Sequence, residues 1–172
     1  MRKTNTILGE KLDYKTYIEK KFKESSEKHY EECLEIAKNF LVLYSMYEGS
    51  FNLENESLSI GKVVEEVSIK NKNIEGINDI SDYFISRYKN NDGRIRLLFK
   101  NRNRSYENLF REYLQKETLT NLEKQKFVAI IANRYRNNTL HATKKYFNWY
   151  KYRVEFDYIN TFLYLWLKNS KI

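Results

Sequence analysis

Proline is absent from all 172 residues, glycine occurs five times, histidine twice and cysteine once. Without proline nothing in the chain forces a helix to break, and five glycines supply few of the turns that a many-stranded sheet needs. The composition therefore predicts an all-α fold. A lone cysteine, Cys33, excludes an intrachain disulfide, and its apolar neighbours predict a reduced thiol in the core of a cytoplasmic protein. Two histidines and one cysteine cannot build a typical zinc site, and neither HExxH nor CxxC occurs, so no metal or other cofactor is expected. Long apolar runs are missing too. The most apolar segment, Tyr158 to Leu167, falls short of the ~20 residues that a bilayer crossing requires, and Met1 to Glu10 has no apolar core of a secretory signal. No membrane partner is expected.

What the chain does have is hydrophobic and aromatic residues, 41% and 16% of the total. That is enough to bury a core, and at this length it favours one domain over residues 1–172, a helical bundle of about six to seven helices. The formal charge is +8, unevenly spread. Residues 1–86 hold 12 Lys and Arg against 16 Asp and Glu, net −4, whereas residues 87–172 hold 19 against 7, net +12. A polyanionic partner, if there is one, should meet the second half.

Along the chain, Tyr30, Cys33, Leu34, Ala37, Leu41 and Tyr44 recur at helical spacing and predict a long core helix from about Asp13 to Tyr47. His29 belongs to that helix and reads as a solvated or locally hydrogen-bonded side chain. A shorter helix is expected from Leu58 to Lys70. Another runs from Asp79 to Asn90, with Asp79 or Ser81 as its N-cap. Asn90-Asn91-Asp92-Gly93 reads as a tight turn. Beyond it Arg94, Arg96, Lys100, Arg102 and Arg104 alternate with apolar residues and no acid, so a helix anchored by its apolar side would offer them to phosphate or simply to solvent.

Ser105 to Lys116 is amphipathic, and Thr120-Asn121-Leu122-Glu123 has the spacing of a capping box. A helix should start there and run through Phe127, Ile130, Ile131 and Tyr135 to Leu140. A last helix, Val154 to Lys168, is apolar around most of its circumference and predicts burial on two sides, in the bundle or against a second subunit. Between them, Lys144 to Arg153 interleaves cations and rings. Its aromatics are expected to dock onto the bundle, with Lys144 and Lys145 facing solvent or RNA.

Chemistry is densest in Asn133-Arg134-Tyr135-Arg136-Asn137-Asn138-Thr139-Leu140-His141. Arginine stays charged and presents a fork of donors suited to phosphate, and histidine titrates near neutrality and can move a proton. On an ideal helix Arg134, Asn137, Asn138 and His141 share a face, while Arg136 and His141 lie about 140° apart.

Arg136-Asn137-Asn138-Thr139-Leu140-His141 resembles the signature of the HEPN superfamily, an Arg, usually a polar residue after it, and four to six positions before a His. Its place late in a small helical chain, with one more helix following, is also similar; residues 1–86 carry no part of the resemblance. The resemblance implies a HEPN-like bundle that forms a homodimer, faces two motifs across a cleft and cuts single-stranded RNA without a metal. The reaction implied is attack of the 2′-hydroxyl on the adjacent phosphate, in a toxin–antitoxin or phage-defence setting with a possible antitoxin or other regulatory partner.

Within it Arg136 and His141 would be catalytic, with Arg134, Asn137 and Asn138 auxiliary. Arg134 also meets the spacing, so which arginine works with His141 stays open. In one subset of the family a tyrosine stands two positions after the histidine, where this chain has Thr143. The alternative is a non-catalytic helical module that binds nucleic acid or a protein and keeps the motif for its structure.

Overall fold

A computed structural model of the chain describes residues 6–7, 10–11, 20, 30–51, 58–70, 73–100, 104–140 and 149–169. The architecture is the expected all-α bundle. Among the described residues seven helices follow one another: α1 Tyr30–Gly49, α2 Ile60–Lys70, α3 Ile77–Tyr88, α4 Asp92–Phe99, α5 Arg104–Gln115, α6 Asn121–Leu140 and α7 Arg153–Lys168. A 3-10 turn, Trp149–Tyr152, leads into α7. Ahead of the bundle, the two-residue strands β1 (Thr6–Ile7) and β2 (Glu10–Lys11) pair antiparallel, Ile7 opposite Glu10. No helix among the described residues is long and apolar enough to cross a membrane.

Helix α6 is the axis of the bundle, touching α2, α3, α4, α5 and α7. Its start is the capping box read from the sequence. The Glu123 backbone N–H donates to Thr120 Oγ1 at 3.3 Å, and the Thr120 N–H donates to Glu123 Oε2 at 2.9 Å, so each end of the box satisfies a backbone donor that the first turn leaves open. From Phe127 to Tyr135 every residue is buried. The last helix, expected to be buried on two sides, turns Phe156, Ile159, Phe162, Leu163 and Trp166 inward against α1 and also meets α3 and α6, while Val154 and Tyr164 are about half exposed.

Three local readings are corrected. In α1 the buried stripe is Cys33, Phe40, Tyr44 and Tyr47, and Leu41 is 52% exposed, because aromatic rings at 40, 44 and 47 fill the seam toward Phe156, Phe162 and Trp166 and rotate Leu41 out of it. Helix α3 begins two residues before Asp79, after Gly76, whose left-handed backbone (φ 83°) suits a residue without a Cβ. The turn before α4 takes its positive φ at Asn90 (61°). Asn91 then caps α4 by accepting from the Arg94 N–H at 3.1 Å, which draws Asp92 and Gly93 into the helix. The first helix's expected start near Asp13, and His29, lie outside the described residues.

Candidate functional site

Beyond its apolar run α6 becomes polar, and successive side chains reach different neighbours. Asn133 is 1% exposed; its Nδ2 donates to Tyr44 Oη on α1 at 3.2 Å and to the Leu58 carbonyl at 3.4 Å. One helical turn on, Asn137 Nδ2 donates to Asn133 Oδ1 at 3.1 Å. Arg136 Nη1 in turn donates to Asn137 Oδ1 at 2.9 Å. A relay of amides thus runs from the core to the arginine head, each amide using both its acceptor and its donor side.

Arg134 leaves the helix in another direction. It is 5% exposed, and its Nε donates to the Leu98 carbonyl at 3.2 Å while Nη2 reaches the Phe99 carbonyl at 3.5 Å and Asn138 Oδ1 at 3.3 Å. Asn138 Nδ2 adds a bond of 2.9 Å to the Leu98 carbonyl. These carbonyls belong to the last turn of α4, where open acceptors and the negative end of the helix dipole favour a cation. Arg134 and Asn138 therefore fasten α6 to α4. Tyr135, between the arginines, points a third way; its hydroxyl lies 3.4 Å from that of Tyr88, and burial pushes both phenols up from their ordinary pKa.

Arg136 is the arginine with an accessible head. Its side chain is 30% exposed, its guanidinium carbon sits 5.9 Å from the centre of the Tyr44 ring, and Nη2 lies 3.8 Å from Glu48 Oε2. Burial raises the Tyr44 pKa well above its usual value, so the ring under the guanidinium stays a neutral phenol at all ordinary pH. Held by Asn137, seated over Tyr44 and only loosely paired, Arg136 can accept an anion without rearranging the core.

No protein-family model, curated protein or solved structure matches the chain. The candidate site therefore rests on its own residues. Of the expected catalytic pair, Arg136 is placed by the structure, and His141, one residue past the end of α6, lies outside the described residues. So do Arg102, Lys144 and Lys145.

The remaining cations do not form one stripe, because α4 stops at Phe99 and Arg104 belongs to α5. Lys100 ends α4 in a left-handed conformation (φ 50°). Arg94 is exposed and donates to the Arg87 carbonyl at 3.2 Å. Arg96 and Arg111 both lie 2.6 Å from Asp92, whose carboxyl is held below its ordinary pKa chiefly by the hydrogen bond from Arg111. Much of the positive charge near Arg96 is thereby answered locally.

Glu48 and Tyr44 were not legible as site residues in the sequence. Their i,i+4 spacing put both on one side of α1, but Tyr44 read as core and nothing in the sequence singled out Glu48. Asn133 stood out only as part of a polar cluster. Among the described residues no three His, Cys, Asp or Glu side chains come together as a metal site would require.

Proposed function

We propose that the chain is a metal-independent endoribonuclease of the HEPN type acting on single-stranded RNA. The observation that carries this reading is Arg136, a partly open guanidinium fixed by an amide relay at the end of the central helix, five residues ahead of His141 in a half of the chain with net charge +12. In the proposed reaction the ribose 2′-oxygen bonds to the adjacent phosphorus and the bond from phosphorus to the 5′-oxygen breaks. The products are a 2′,3′-cyclic phosphate and a 5′-hydroxyl. One proton leaves the 2′-hydroxyl and one arrives at the 5′-oxygen, with His141 as the transfer group. Arg136 binds the phosphate and answers the charge that grows on it. Because the nucleophile is the 2′-hydroxyl, DNA is not a substrate.

Arg134 and Asn138 enter this proposal as positioning groups that hold α6 against α4, and Asn137 as the group that aims Arg136. Arg94, Arg104, Lys144 and Lys145 are proposed to follow the RNA backbone, and a homodimer would bring two motifs to one cleft. The cytoplasmic setting in toxin–antitoxin or phage-defence systems rests on the resemblance of the motif alone. The test is cleavage of single-stranded RNA in excess EDTA by wild type, Arg136→Ala and His141→Ala, with product ends identified. Wild-type cleavage giving cyclic phosphate, lost in both variants, supports the mechanism. Cleavage that survives both substitutions, or that requires a metal, refutes it; RNA binding with no cleavage favours a non-catalytic module.

A further inference from the structure

Among the described residues Glu48 is the carboxylate placed against Arg136, at 3.8 Å, with both side chains 30% exposed. A charge-assisted pair that is fully engaged closes to about 2.7–2.9 Å, so this contact attracts without locking. Glu48 also occupies the last turn of α1, which contains no basic residue and where the helix dipole disfavours an acid. Nothing in its own helix keeps the carboxylate there. The guanidinium meanwhile has two other anchors, Asn137 Oδ1 at 2.9 Å and the Tyr44 ring, that remain if Glu48 swings away.

We infer that Glu48 is an internal counter-anion of the Arg136 site, occupying the guanidinium face that an RNA phosphate must take and so setting the threshold for substrate binding. This rests on the reading of Arg136 as the phosphate-holding group. The amide relay and Tyr44 keep the arginine aimed in both states, and Glu48 is the part that moves. A purely supporting Glu48 predicts the opposite sign, because its removal would loosen Arg136 and weaken binding.

The experiment is fluorescence anisotropy with a short 2′-O-methyl single-stranded RNA, which cannot be cleaved by the proposed route, at low salt. Glu48→Gln is expected to tighten binding roughly two- to five-fold, the size of a half-exposed ion pair, and Arg136→Ala to weaken it. The double variant should match Arg136→Ala, and the charge control Glu117→Gln, before the opposite end of α6, should match wild type. Unchanged or weaker binding by Glu48→Gln overturns the inference, as does a gain that persists without Arg136, an equal gain in Glu117→Gln, or no binding by any variant. RNA cleavage by wild type together with a silent Glu48→Gln sinks this inference alone. An Arg136-dependent gain in a protein that cuts no RNA sinks the nuclease reading alone.

Discussion

Replacing each arginine of the α6 terminus by alanine separates two roles that sequence spacing leaves entangled. Arg134→Ala removes three donor contacts of 3.2–3.5 Å, two of them to α4 carbonyls, and strips a buried aliphatic stem. Hydrogen bonds from a charged donor contribute about 1.5–3 kcal/mol each at good geometry. These are long, so together they come to about 2 kcal/mol, and two lost methylenes add about 2 kcal/mol more. Relief of the cost of burying a cation offsets part of this, and the Leu98 carbonyl keeps its bond from Asn138. The expected net loss is about 2–4 kcal/mol, or a fall in Tm of about 5–15 °C for a chain of this size.

Arg136→Ala removes a bond to Asn137 and a loose pair from a half-exposed position, and should cost under about 1 kcal/mol. Urea and thermal unfolding followed by circular dichroism measure both. Under the proposed function both variants lose RNA cleavage, Arg134→Ala together with stability and Arg136→Ala alone. A stable Arg134→Ala, within about 0.5 kcal/mol of wild type, or an equally destabilised Arg136→Ala, would refute the division of roles.

Three further outcomes test the scaffold. Glu123, hydrogen-bonded by Lys116 and the Thr120 N–H, has its pKa lowered from 4.5 to about 2. The unfolded chain therefore binds the proton more readily than the folded one, so this contribution is fully present above pH about 4.5 and lost as pH falls toward 2. Glu123→Gln should flatten that part of the stability–pH curve measured by urea titration. Glu155 is buried against Arg87 across α3 and α7, and Glu155→Ala leaves that cation without its partner. The expected cost in equilibrium unfolding is about 3 kcal/mol, and replacing both residues by methionine should recover most of it. Gly76→Ala forces a Cβ into a left-handed backbone that has space for it, the nearest atom being Leu165 Cδ1 at 3.8 Å, so the loss should be the conformational cost alone, about 1–2 kcal/mol by thermal melting.

Legibility in the sequence followed the range of the interactions involved. The Thr120–Glu123 box was readable because both of its hydrogen bonds close within three residues. The helices themselves were readable for the same reason, their periodicity being set by contacts three and four positions apart. The Asp92-Gly93 turn was misplaced because Asn91 competes for the same segment with a cap, and a dipeptide preference does not say which wins. Leu41 was misassigned because its exposure depends on rings delivered by α7, more than a hundred residues later.

By itself the sequence determined that this chain folds as a helical bundle, that its central helix is capped at Thr120, that positive charge concentrates in its second half and that the densest chemistry ends that helix. Each of these follows from local spacing or composition. Only the tertiary structure gave the two arginines different surroundings. Spacing on an ideal helix groups Arg134 with Asn137 and Asn138, but α4, 36 residues earlier, brings its terminal carbonyls to Arg134 and buries it, whereas the end of α1 brings Tyr44 and Glu48 to Arg136 and leaves it partly open. Which neighbour meets a side chain is a property of packing between distant elements, and no pattern within α6 contains it.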